Sequence, residues 1–220
     1  GTVTTLRFLP VTALSLFGGV FADRVPKRRL LMVTQSLALV QAFILGVLVV
    51  TGTVQLWHVY VLAFALGTVT AIDNPTRQSF VFELVGREQL FNAVALNSTV
   101  FNVARIAGPA IAGIAIAAVG MSMAFFLNAA SFVAVLIGYA MMRPGEFFQG
   151  RVQTPAGNVI QQLGEGVHYA VSTPRVLYTF ILVAFVGTFG FNFSVIIPLV
   201  AQFVLNVGPE KFGLLTSFLG

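Results

Sequence analysis

Arg105 is the residue of this chain with the most chemistry to offer, because it lies deep inside an apolar stretch. At about 100° per residue, Ser98, Asn102, Arg105, Pro109 and Gly113 fall on one narrow helical face, with Val100, Val103, Ala107, Ile111 and Ile114 opposite. If that helix begins near Ala93, Arg105 is roughly 18 Å along it. A guanidinium at that depth costs several kcal/mol in lipid, so it should face a polar cavity or a paired acid. It could then hold an anionic or polar group of a substrate, or form one half of a gating pair. The plain alternative is a structural ion pair or an arginine that snorkels to the interface. Gly108-Pro109 and Gly113 add a missing backbone hydrogen bond and room for close approach, which suits a helix that bends and packs tightly.

Two further constellations sit at the ends of apolar runs. In Gly19-Val-Phe-Ala-Asp23-Arg24-Val-Pro-Lys27-Arg28-Arg29, an acid follows a glycine by four residues and a dense basic run follows the acid. Asp23 should take a basic side chain or a helix N-terminus as its partner, since the helix dipole favours an anion there. Asp73-Asn74-Pro75-Thr76-Arg77-Gln78 closes another apolar run, and Asp73 could pair with Arg77 or with the Arg24–Arg29 cluster. Gln35, Gln41, Asn97, Asn128 and Asn192 are uncharged polar residues inside apolar segments, where bonding across helices is the commonest use. Asn128 and Asn192 also join Ser98, Asn102 and Arg105 as candidates to line a cavity. His58, beside Trp57 and Tyr60, fits interfacial packing better than a metal ligand or proton carrier. The sequence has no HExxH, Walker loop, GxSxG or clustered His, and no cysteine. No catalytic residue, metal or cofactor is expected, and the chain does not read as an enzyme.

These residues need elements to position them, and the composition says where those elements lie. The 220 residues are 57% hydrophobic and only 9% charged, with mean hydropathy +0.93. Soluble domains carry about 25% charged residues, so this chain reads as an integral membrane protein. Its net charge of +5 does not imply nucleic acid, because the basic residues cluster between apolar segments. Segments of about the 20 residues needed to cross a bilayer run near Val3–Ala22, Leu30–Thr51, Leu56–Ile72, Ala93–Val119, Met123–Met142 and Val176–Leu205, and another begins near Phe212. If direction alternates, Arg24, Lys27, Arg28, Arg29, Arg77, Arg87, Arg143, Arg151 and Arg175 share one side, against Arg7 and Lys211 on the other. That bias makes the first side cytoplasmic, with Asp23–Arg29, Arg77–Arg87 and Arg143–Arg175 exposed there. Within Arg143–Arg175, the stretch Asn158–Thr173 alternates Ile160, Leu163, Val167 and Val171 with Gln161, Gln162, Glu165 and His168, as in a helix lying on the membrane surface.

The stretch Gly19–Arg29 resembles the signature loop of the major facilitator superfamily, with Pro26 where that signature usually carries glycine. The regions Asp73–Ser79 and Leu90–Ser98 resemble the bacterial drug and siderophore exporters of that superfamily, such as enterobactin and macrolide exporters. Arg105-Ile-Ala-Gly108-Pro109 with Gly113 is similar to its antiporter-type motif. The resemblance implies an all-α, polytopic membrane fold of two six-helix bundles, of which this chain would supply helices two to seven and the start of eight. The expected divisions are 1–142 as an N-terminal bundle lacking its first helix, 143–175 as a cytoplasmic connection, and 176–220 as the start of the second bundle. The resemblance also implies a gating role for Gly19, Asp23, Arg24, Lys27, Arg28 and Arg29, with Asp73 and Arg77 as charge partners at the same end. It points to a multi-pass protein of the bacterial inner membrane that exports small amphipathic molecules, with protons as coupling partner and a monomeric complete form. The alternatives are an importer, a proton-independent facilitator, or a receptor or scaffold that transports nothing.

Overall fold

The computed structural model describes residues 1–86, 88–143, 145, 147–148, 164, 168–189, 193–205 and 207–219. Within these ranges the side chains of 15–24, 188–189, 193–195, 202–203, 209–210 and 218–219 are left undescribed. The fold is that of a helical membrane protein. The elements are α1 (Thr2–Arg24), α2 (Lys27–Val50), α3 (Leu56–Val85), α4 (Leu90–Met141), α5 (Pro174–Phe189), α6 (Phe193–Leu199) with a π-helical turn at Val200–Val204, and α7 (Pro209–Leu219). By contact the chain divides into two compact units, residues 1–154 with 208–220, and residues 155–207. Of the described helices, α2, α3 and α4 are long and apolar enough to cross a membrane.

In the first unit, α2 and α3 form an antiparallel pair joined through the short turn at 51–55, where Gly52 takes φ +67°. The packing stripe of α2 is Leu31, Thr34, Ala38, Ala42 and Gly46, a run of fours and threes that keeps one helical face inward. On α3 the buried residues Ala63, Gly67 and Ala71 are small and four apart, which lets another backbone come close. α1 uses this groove: the Arg7 carbonyl lies against Gly67, in the space a Cβ would occupy. α4 is two helical arms, 90–119 and 121–141, reversed at Gly120 (φ +82°, ψ 166°). Only glycine enters that region of φ without strain. The second arm lies along α2, where the Phe126 ring seats on Gly46 and meets Phe43 edge-on at 5.5 Å.

Three expectations are modified. The apolar run expected to end at Ile72 continues as helix to Val85, through Pro75, because the polar groups beyond Ile72 find partners inside the bundle. The two spans expected over 93–142 are the arms of α4, with the single residue Gly120 as their connection. The span expected over 176–205 is α5, then α6 and the π-helical turn, with 190–192 outside the described residues. Pro198 offers no N–H two residues before that turn, a natural place for the helical ladder to widen. Of the amphipathic helix expected at Asn158–Thr173, most lies outside the described residues. Its last turn, 168–172, is helical, with Ser172 Oγ donating to the His168 carbonyl at 2.6 Å.

Candidate functional site

Two places in the first unit gather the polar residues. The first lies between α2 and α3, toward the end of the bundle where the basic residues cluster. Asp73 is 8% exposed, and its carboxylate receives donors from two helices. Oδ1 accepts from Thr34 Oγ1 at 2.6 Å and Gln35 Nε2 at 2.9 Å, both on α2. Oδ2 accepts from Arg77 Nη2 at 2.9 Å and Nε at 3.3 Å, one turn along α3. A buried carboxylate needs such compensation, since an unpaired charge in a low dielectric is expensive. Asp73 is therefore a bolt between α2 and α3, and its charge partner among the described residues is Arg77.

One helical stripe further along α3 a second ion pair repeats the pattern. Thr76, Phe80 and Glu83 continue the face that Asp73 begins, and Glu83 Oε1 meets Lys27 Nζ at 2.6 Å. Lys27 is itself only 8% exposed. The next residue acts on a third helix. Arg28 donates through Nε to the Tyr139 carbonyl at 2.6 Å and through Nη2 to the Ala140 carbonyl at 2.9 Å. The last carbonyls of a helix lack intrahelical partners and carry partial negative charge, so an arginine fits there. Leu31, Phe80 and Tyr139 form the apolar core beneath these contacts. Arg29 is exposed and lines a cleft of about 290 Å³ with Pro26, Lys27, Arg28, Glu83 and Phe147.

The second place is the first arm of α4. Counted from Leu90, Arg105 stands roughly 22 Å along this arm, about midway. Ser98, Asn102 and Arg105 are exposed, as are Val100 and Val103 on the opposite face. Asn102 turns back onto its own helix, donating to the Ser98 carbonyl at 2.9 Å. No hydrogen bond or ion pair engages Arg105 among the described residues. Pro109 sits one turn on and has no N–H, so the Arg105 carbonyl also loses its helical partner. Helical dihedrals continue through Pro109 all the same, and the departure comes only at Gly120. Gly113 is buried, and Gly213 of α7 lies against the Pro109 carbonyl with the Gly113 Cα beside it. Gly108 has open space where a Cβ would stand.

The remaining candidates are scattered. The side chains of Gly19, Asp23 and Arg24 fall outside the described set, as does Asn192. Asn128 is exposed on the second arm, its carbonyl accepting from Ser131. Sequence reading overlooked Thr34 and Glu83. The signal for Glu83 was its place on the helical stripe Asp73, Thr76, Phe80, visible once α3 is carried past Pro75. His58 caps α3: its Nδ1 accepts the Gln55 N–H at 3.0 Å, while Trp57 stacks on its ring at 3.8 Å and donates to Gln55 Oε1. Among the described residues, no three His, Asp or Glu side chains gather in a metal-binding group.

A family model described as transmembrane secretion effector matches residues 3–220. The staphyloferrin A transporter of Staphylococcus aureus is 27% identical over 97% of this chain and 53% of its own length. An uncharacterised MFS-type transporter of Bacillus subtilis, YfiS, is 26% identical over 77% of this chain and 40% of its own. The multidrug efflux pump Tap of Mycolicibacterium fortuitum is 29% identical over 82% of this chain and 45% of its own. The chain thus spans about half the length of the curated relatives it matches.

Proposed function

The chain belongs to the transmembrane secretion effector family of major facilitator transporters, and on that premise we propose that it forms part of an exporter of small amphipathic molecules. Transport would proceed by alternating access in a bacterial inner membrane, with the basic end of the bundle facing the cytoplasm. The observation that carries this reading is the open polar face of the first arm of α4. Arg105, Ser98 and Asn102 sit midway along a helix long enough to cross the bilayer, and among the described residues no acid pairs with the guanidinium. Lipid is a poor neighbour for that face and a good one for Val100 and Val103 opposite. A cavity holding a ligand with an anionic or hydrogen-bond-accepting group satisfies both faces.

Protons are the proposed coupling partner. Arginine side chains as a class stay charged in proteins and are not proton carriers. The described carboxylates Asp73, Glu83 and Glu88 all lie at the basic end, the first two already bonded. Among the described residues no acid is left free at the depth of Arg105 to serve as carrier. The test is accumulation of a fluorescent amphipathic cation or a ferric siderophore in cells carrying the full-length protein, with and without an uncoupler. Lower accumulation that the uncoupler abolishes supports export by proton antiport. Equal accumulation across a panel of both compound types removes it.

A further inference from the structure

The chain leaving α4 does not run free from the bundle. Its first described residues fold back on the basic end of α3. The Phe148 N–H donates to the Glu83 carbonyl at 2.8 Å, so Glu83 binds Lys27 with its side chain and this segment with its backbone. The Phe148 ring lies over Gly86, 3.0 Å from where a Cβ would stand, and Gly86 has φ +69°. Glycine there both turns the chain out of α3 and leaves the seat for the ring. Phe147 turns the other way, edge-on to Phe80 at 5.4 Å between centroids, and packs on the Leu31, Phe80 and Tyr139 core. It is also the apolar wall of the cleft that holds Lys27 and Glu83.

We propose that Phe147 and Phe148 are a mooring. They fix the start of the connection to the first bundle throughout the transport cycle, and Phe147 keeps water from the Lys27–Glu83 pair. The proposal rests on the transport reading for its consequence, and on the contacts alone for its existence. A moored connection moves with α3, and any pull on it is delivered at Glu83 rather than dissipated in slack.

The experiment uses the full-length protein. Deuterium labelling of the Phe148 amide, whose N–H bonds the Glu83 carbonyl, is expected to speed up about fivefold or more in Phe147→Ala. Equal rates overturn the mooring, whether or not any transport is seen. For the consequence, Phe147→Ala/Phe148→Ala should insert and run monodisperse yet export about fivefold more slowly, with Phe147→Tyr retaining more than half the rate. Export at the wild-type rate by the alanine pair overturns it. If the unmodified protein exports nothing while the labelling difference holds, the transport reading fails and the mooring stands.

Discussion

Glu83 and Asp73 do different work although both are acids on one stripe of α3. Glu83 meets a lysine that is almost wholly buried, whereas the Arg77 partner of Asp73 is half-exposed. Removing one member of a buried pair leaves the other uncompensated at about 3–5 kcal/mol, while replacing both by apolar groups is often neutral. Glu83→Gln should therefore lower the detergent melting temperature markedly, and Lys27→Met/Glu83→Leu should recover most of it, as a double-mutant cycle in thermal unfolding would read. Equal stability of the single and double variants would contradict the buried pair. Asp73→Asn keeps the shape but weakens four charge-assisted bonds, a loss of roughly 1–3 kcal/mol. On Arg105, Arg105→Lys keeps charge without the planar fork and should keep part of the export rate, whereas Arg105→Ala should lose at least tenfold with unchanged insertion. Wild-type export in both would make Arg105 structural. The i,i+4 spacing of Asp73 and Arg77 was readable in the sequence. Thr34 was not, because a threonine inside an apolar helix ordinarily bonds its own backbone and only the α2–α3 register brings it to Asp73.

The elements meet through missing side chains. Gly67 faces the Arg7 carbonyl, and Gly213 faces the Pro109 carbonyl, so both contacts are backbone against backbone. Gly46 faces the Phe126 ring, which can tilt away. Overpacking costs about 1–3 kcal/mol where neighbours yield and more where they do not. The stability loss should therefore rank Gly67→Ala above Gly46→Ala, measured by thermal unfolding of the purified full-length protein. The reverse order would mean that α1 shifts more easily than Phe126. Hydropathy made most spans legible, the short join near Gly120 among them, but it could not show that α3 runs to Val85. Hydropathy falls where side chains turn polar, and here the polar residues are bonded within the bundle rather than released to water.

For the molecule as a whole, the proposed sidedness rests on charge. A cysteine placed at Gln162 should react with an impermeant maleimide only from the cytoplasmic side, and one at Gly52 only from the opposite side. Labelling of both from one side would contradict the proposed orientation. The first unit also carries a lesson in how little of itself it shows at the end remote from the basic cluster. There α2 passes to α3 through 51–55, and the arms of α4 meet at one residue of positive φ. An antibody or protease arriving on that side finds almost no loop to grip at Gly120. A ten-residue epitope inserted there would have to prise apart the hairpin's tip, whereas at Thr53 it extends a turn already exposed. Affinity tags and reporter probes for this protein therefore belong at Thr53, and the tip at Gly120 offers them no purchase.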